Sequence, residues 1–179
     1  VTALGLACAF APWDRPDATD GMNARMAKAV PGLRRAPWMA RLAASSLPRQ
    51  YKRDPANAFQ RQFGRDLPAC DARALEDETV LARLLEAAVE STRQGSRPLA
   101  LEMQLLFARP WGFAPSDITT PTQLWYGGDD TLTPPQMGRY LERELTGAAL
   151  VVYADEGHMA AFTHWPEIVS ALVKGLAAR

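Results

Sequence analysis

The sequence is poor in cysteine and histidine, and it has no excess of charge of either sign. Its two cysteines, Cys8 and Cys70, provide neither a disulfide framework nor the spacing of a metal site. Twenty basic residues balance twenty acidic ones, whereas nucleic-acid-binding domains are usually basic overall. We therefore expect no nucleic-acid partner, no metal site, and cysteines that fit a reducing, cytoplasmic compartment.

A hydrophobic run long enough to cross a membrane is also missing. The apolar opening VTALGLACAFAP has no basic residues before it, unlike a signal peptide, and gives way to the turn-rich WDRPDATDG. A short run of small apolar residues favours a buried parallel strand over residues 1–10. Because the chain opens within a strand and without a methionine, we expect it to be part of a longer protein.

The hydrophobic pattern has the period of a helix from Gly21 to Arg109. Apolar residues recur there at spacings of three and four, as in Val80, Leu84 and Leu85. Prolines divide this region into about five helices, and no β-rich run falls between them; the divisions lie near Pro31, Pro48, Pro55, Pro68 and Pro98. We therefore predict a core strand in residues 1–14, an all-helical insert in 15–112 and a C-terminal core in 113–179.

Strand-like and helix-like segments alternate in this C-terminal core. Strands are predicted over residues 121–126 and 148–154, and helices over 134–146 and 165–178. Alternating strands and helices with short connections indicate parallel strands flanked by helices. The predicted fold class is therefore α/β.

An aspartate and a histidine follow the two C-terminal strands. Asp130 ends the GGDD stretch after the first strand, and His158 ends DEGH after the second. The carboxyl ends of parallel strands share one edge of a sheet, so we expect the two side chains to meet there. An aspartate beside a histidine fixes its tautomer and stabilises the imidazolium that forms when a nucleophile loses its proton. From the residues alone, the two adjacent aspartates of GGDD, Asp129 and Asp130, are equally typical of a solvated turn. His164 is a second candidate for the base.

These motifs together resemble the C-terminal part of the α/β-hydrolase fold family. The stretch from ITTP to DEGH follows the family pattern I-x-x-P, apolar strand, G-x-x-D-x-x-x-P, helix, strand and G-H, and the similarity extends over about residues 118–173. The resemblance implies a partial α/β-hydrolase core, with the helical insert as its lid. It also implies that Asp130 is the acid of a catalytic triad, that His158 is the general base, and that no cofactor is needed.

The nucleophile motif of that family, Gly-x-Ser-x-Gly, is absent from the sequence. No serine has glycines at both flanking positions, Cys8 lies within the first predicted strand, and Cys70 lies in the insert. The family order places the nucleophile before the acid and the base. We therefore expect the nucleophile upstream of Val1, and we expect the 179 residues alone to be inactive by the triad route.

Large apolar side chains are available for a substrate pocket. Trp13, Trp38 and Met39 could line an apolar acyl pocket under the lid. The alternative use of such residues is core packing.

The resemblance implies a serine esterase-type hydrolase of small or acyl substrates, acting through an acyl-enzyme. An aspartate nucleophile would instead give an epoxide or haloalkane hydrolase. A truncated, non-catalytic protein that binds a ligand or partner is the other alternative. The first strand would present an unpaired edge, so we expect it to pair with an N-terminal half or with a second copy of the chain.

Overall fold

A computed structural model of the chain describes residues 1–177, with side chains described as far as residue 174. The chain divides into two compact units. Unit 1 comprises Val1–Asn23, Pro68–Ala74 and Gly112–Arg179, and unit 2 comprises Ala24–Leu67 and Leu75–Trp111. The last two residues of the predicted segment 113–179 lie outside the described residues.

The described residues form strands, α-helices and three short helical turns of other types. The strands are β1 (Leu4–Ala7), β2 (Thr122–Gly127) and β3 (Ala149–Tyr153). The α-helices are α1 (Ala24–Arg35), α2 (Met39–Ser45), α3 (Leu47–Arg53), α4 (Pro55–Phe59), α5 (Ala69–Ala74), α6 (Glu78–Ser91), α7 (Ser96–Met103), α8 (Pro135–Glu144), α9 (Ala160–Thr163) and α10 (Trp165–Ala177). The other helical segments are two π-helical turns, Gln60–Gly64 and Gln104–Ala108, and one 3-10 turn, Pro115–Asp117.

The three strands of unit 1 form one parallel sheet in the order β1-β2-β3. Leu124 of the central strand pairs with Leu6 of β1 on one side and with Leu150 of β3 on the other. Leu124 and Tyr126 are buried on one face of β2 and Trp125 on the other, as is usual for a strand covered on both faces. The predicted α/β class is confirmed, and both C-terminal strands lie within one residue of their predicted bounds.

The first strand is shorter than predicted and ends at Ala7. Cys8, the next residue, adopts a positive φ of 46°, a left-handed conformation that a β-strand cannot continue. Its backbone N–H still donates to the Trp125 carbonyl at 2.8 Å. Cys8 therefore lies at the carboxyl end of β1, and the prediction that it sits within the strand is wrong.

The described residues of unit 2 form helices joined by turns and loops, with no strand among them. Its core is built on the buried Tyr51, Ala58 and Phe59, against which partly buried apolar side chains pack. The predicted divisions near Pro48 and Pro55 are present, since each proline lies in the first turn of a helix, where it loses no helical hydrogen bond. Pro31, by contrast, lies inside α1 and does not divide it. None of the helices that the structure describes is long and apolar enough to cross a membrane.

The two units differ from the predicted segments at the borders of the helical insert. Residues 15–23 and Pro68–Ala74, predicted within 15–112, belong to unit 1. Hydrogen bonds explain both differences. Asn23 donates its backbone N–H to the Thr131 carbonyl at 2.8 Å, and Asp71 of α5 accepts backbone hydrogen bonds from His158 and Met159.

Helix α8 packs closely against the sheet at Gly138. A Cβ atom added there would lie 2.6 Å from the Tyr126 ring and 3.0 Å from a Leu150 methyl carbon. We therefore expect Gly138→Ala to lower the free energy of unfolding by about 1 to 3 kcal/mol, because overpacking must shift the ring or the helix. Chemical denaturation of the folded protein measures this change.

The matched control is Gly32→Ala in α1, where an added Cβ would meet nothing within 4 Å. Alanine favours a helix over glycine by up to about 1 kcal/mol, so this variant should be as stable as the parent or more so. A Gly138→Ala protein as stable as the Gly32→Ala protein would contradict the close packing of α8 on β2.

Candidate active site

Asp130 is held in a buried turn directly after β2. The turn brings this strand end close to the loop after β3, since a Cβ on Gly127 would lie 2.2 Å from the Gly157 carbonyl oxygen. Asp130 is 2% exposed, whereas the neighbouring Asp129 is exposed. The structure thus distinguishes the two aspartates of the doublet and selects Asp130 as the buried one.

The Asp130 carboxylate is surrounded by hydrogen-bond donors. Its Oδ1 accepts the backbone N–H groups of Leu132 at 2.7 Å and Thr133 at 2.9 Å, and its Oδ2 accepts the Thr133 hydroxyl at 2.7 Å. Burial opposes ionisation of Asp130, but hydrogen bonds from His158 and Thr133 outweigh it and hold the pKa of Asp130 below its ordinary value. The carboxylate is therefore ionised at neutral pH.

His158 completes this network through one ring nitrogen. Its Nδ1 lies 2.9 Å from Asp130 Oδ2 and 3.0 Å from Thr133 Oγ1. Because the Thr133 hydroxyl donates to the carboxylate, its oxygen can only accept from Nδ1, so both neighbours favour a proton at that nitrogen. Nε2 is then left with its lone pair, which is the form a general base requires.

The loop that carries His158 is fixed by Asp71 of α5. Asp71 is 1% exposed, and its two carboxylate oxygens accept the backbone N–H groups of His158 at 3.0 Å and Met159 at 2.8 Å. Sequence reasoning missed this residue, since an aspartate in a helix 87 positions before His158 carries no local sign of the contact. Thr133 was also missed, although a threonine three residues after an aspartate is typical of a hydrogen-bonded turn.

Cys8 adjoins the pair of Asp130 and His158. One ligand-type atom of each of the three residues lies within 4.8 Å of the others. Burial, followed by the negative charge of Asp130, raises the pKa of Cys8 to about 12. A thiol that stays protonated at neutral pH is neither a good nucleophile nor a ready metal ligand, and Nδ1 and Oδ2 already face each other across a hydrogen bond. The geometry therefore fits proton transfer better than metal binding.

The second histidine, His164, lies in a different environment. Its ring stacks on Tyr153 with centroids 3.7 Å apart and an interplanar angle of 7°. Its Nδ1 is 3.3 Å from Glu167 and its Nε2 is 3.5 Å from Glu156. His158, and not His164, is thus the histidine that the structure brings to Asp130.

The three apolar residues predicted to bind substrate occupy different surroundings. Trp13 is buried in unit 1, with its ring centroid 5.5 Å from that of Phe10. Trp38 and Met39 belong to unit 2, where they lie at the start of α2 and are 62% and 43% exposed. A role in substrate binding remains a prediction for all three.

Comparison with known proteins agrees with this architecture. A family model described as the alpha/beta hydrolase fold matches residues 19–164. The enol-lactonase from Burkholderia xenovorans LB400 superposes with a TM-score of 0.59 and 15% sequence identity, over 99% of this chain and 56% of that one. The esterase EaEST from Exiguobacterium antarcticum gives a TM-score of 0.56 and 16% identity, over 97% and 56%. At such identities these two structures show the fold alone.

A shorter but closer similarity links the chain to an esterase. The pimeloyl-[acyl-carrier protein] methyl ester esterase of Neisseria meningitidis serogroup C is 45% identical over 47 residues, which are 26% of this chain and 18% of that protein. The chain spans little more than half the length of the solved structures it matches. It belongs to the alpha/beta hydrolase fold family.

The burial of Cys8 predicts that its thiol is slow to react. We expect Ellman's reagent at neutral pH to label the partly exposed Cys70 at least about tenfold faster than Cys8, which is 7% exposed and has the strongly raised pKa. Mass spectrometry of time points assigns the label, and Cys70→Ala and Cys8→Ala serve as matched controls. Rapid labelling of Cys8 in the folded protein would reveal a reactive thiolate beside His158 and contradict the conclusion that the Cys8 thiol is buried and protonated.

Proposed function

We propose that this chain supplies the acid, the base and the helical lid of a serine esterase-type hydrolase. The observation that carries the proposal is the 2.9 Å contact between His158 Nδ1 and the buried, ionised Asp130. An oriented imidazole with a free Nε2 is what a hydroxyl nucleophile needs for activation. Membership of the family supports the class, hydrolase, and the geometry of the site supports the roles proposed for Asp130 and His158.

In the proposed reaction His158 acts as base and then as acid, first in forming the acyl-enzyme and again in its hydrolysis. Nε2 takes the proton of a serine hydroxyl as its oxygen attacks the ester carbonyl, and the negative charge of Asp130 stabilises the imidazolium that forms. The imidazolium then gives this proton to the departing alcohol as the tetrahedral intermediate collapses to an acyl-enzyme. Water, deprotonated by Nε2, attacks the acyl-enzyme, and return of that proton to the serine oxygen releases the carboxylic acid.

The local sequence similarity supports a carboxylic ester as the substrate. The relative that is 45% identical over 47 residues is named a methyl ester esterase, and a methyl ester is a carboxylic ester. We assign an acyl ester to this protein on that basis. Trp38 and Met39 are exposed at the start of α2, whereas Trp13 is buried, so in this proposal Trp38 and Met39 are the residues that contact an acyl chain.

The nucleophile in this proposal lies in residues that precede Val1 in the protein. No serine of the chain has the glycine neighbours of a nucleophile elbow. Strand β1 pairs with β2 alone among the described residues, so its other edge is available for a strand that leads to the elbow. An aspartate nucleophile, with epoxide or haloalkane chemistry, and a non-catalytic binding role are the outcomes that would replace this proposal.

The two histidines allow a matched test in the complete gene product. We expect His158→Ala to lower kcat for p-nitrophenyl esters by about 10³-fold or more, because the base is lost. His164→Ala, which removes a histidine that contacts Glu156 and Glu167, should retain kcat within about threefold. Steady-state kinetics at neutral pH measures both variants.

A fluorophosphonate probe identifies the nucleophile in the same preparations. The parent and His164→Ala proteins should be labelled on a serine, and His158→Ala should be labelled far more slowly. Activity of the His158→Ala protein equal to that of the parent would remove His158 from the mechanism. Absence of ester turnover and of labelling in the complete parent protein would reject the serine esterase.

A further inference from the structure

Asp71 is a buried carboxylate that has no part in the chemical steps described above, although both of its oxygens contact the backbone beside His158. Oδ2 accepts the His158 N–H at 3.0 Å and Oδ1 accepts the Met159 N–H at 2.8 Å. The residue comes from α5, which is separated from the His158 loop by more than eighty residues of sequence. Two hydrogen bonds to successive backbone groups fix the direction of the chain as well as its position.

Gly157 shows how closely this carboxylate is fitted to the loop. A Cβ atom on Gly157 would lie 2.4 Å from Cγ and Oδ1 of Asp71 and 2.5 Å from its Oδ2. All three atoms nearest to that added Cβ belong to Asp71. Any side chain at position 157 would therefore displace the carboxylate from the two N–H groups.

The surroundings of Asp71 affect its own ionisation. Burial raises the pKa of Asp71, the backbone donors of Met159 and His158 counter this effect, and the negative charge of Asp130 adds to it. Among the described residues, the titratable groups placed around His158 include Asp130 after β2, Asp71 on α5 and Cys8 after β1. Asp130 contacts the imidazole ring, whereas Asp71 contacts the backbone of the loop.

We propose that Asp71 is a positioning residue for His158, which anchors the backbone of residues 157–159 and so sets where the imidazole presents Nε2. The role of His158 as a base rests on the proposed function. The two hydrogen bonds of Asp71 go to the backbone of the loop and not to the ring, so we expect it to act through the loop. A shift of about 1 Å in a catalytic group can cost about a hundredfold in rate.

The first test compares Asp71→Asn and Asp71→Ala with the parent in the complete gene product. We expect kcat for p-nitrophenyl esters to fall about 10- to 100-fold, with KM within about twofold because substrate contacts are untouched.

Asp77→Asn is the matched control. Asp77 also accepts two successive backbone N–H groups, those of Thr79 and Val80, but at the exposed start of α6. The Asp77→Asn variant should leave kcat and KM unchanged.

A double-mutant cycle tests the route through Gly157. Gly157→Ala should reproduce the kinetic loss of Asp71→Ala, and the double variant should be no worse than either single variant, since the methyl group occupies the space left by the carboxylate. Additive losses would contradict the proposal, as would kcat values within threefold of the parent in all three proteins. Loss of the folded state in every variant would also overturn it, because Asp71 would then serve the fold and not His158.

A readout independent of catalysis separates this proposal from the esterase itself. In a His164→Gln background, NMR follows the His158 Nδ1–H proton that is hydrogen-bonded to Asp130, with and without Asp71→Asn. An upfield shift or loss of this resonance in the Asp71→Asn protein supports the positioning role even if the parent shows no ester turnover, because displacement of the ring weakens that hydrogen bond. An unchanged resonance contradicts the positioning role even if the parent is an active esterase.

Discussion

The hydrogen bond between the buried Asp130 carboxylate and His158 Nδ1 is the interaction on which the site depends. A carboxylate this deeply buried would normally resist ionisation. Four donors, namely two backbone N–H groups, the Thr133 hydroxyl and the imidazole, compensate for the loss of water. The charge is therefore present where an imidazolium would form, and it needs no rearrangement during proton transfer.

The parallel sheet makes this meeting of side chains possible. β2 and β3 are adjacent and parallel, so the turns that follow them share one edge. Gly127 then allows the two turns to approach within a distance that a side chain would prevent, and Gly157 leaves space for the carboxylate of Asp71. A second carboxylate, that of Asp71 on α5, accepts hydrogen bonds from the backbone N–H groups of His158 and Met159. The histidine is thus held both by its ring and by its main chain.

The sequence was sufficient to predict the pair but not its surroundings. Asp130 and His158 could be placed together because both follow apolar runs with strand character, and strand ends in parallel sheets coincide. Asp71 could not be placed, because its contacts join positions 87 and 88 residues apart and no local pattern encodes them. The left-handed conformation of Cys8 could not be predicted from the sequence either. Most residues other than glycine avoid that conformation, and only the surrounding structure requires it there.

The tautomer of His158 is the most direct test of this account. Nitrogen-15 NMR of histidine-labelled protein distinguishes a protonated from an unprotonated ring nitrogen, and His164→Gln leaves one histidine in this chain. We predict that neutral His158 carries its proton on Nδ1 and has an unprotonated Nε2, and that Asp130→Asn abolishes this preference. A neutral ring protonated on Nε2 in the parent protein would contradict the account.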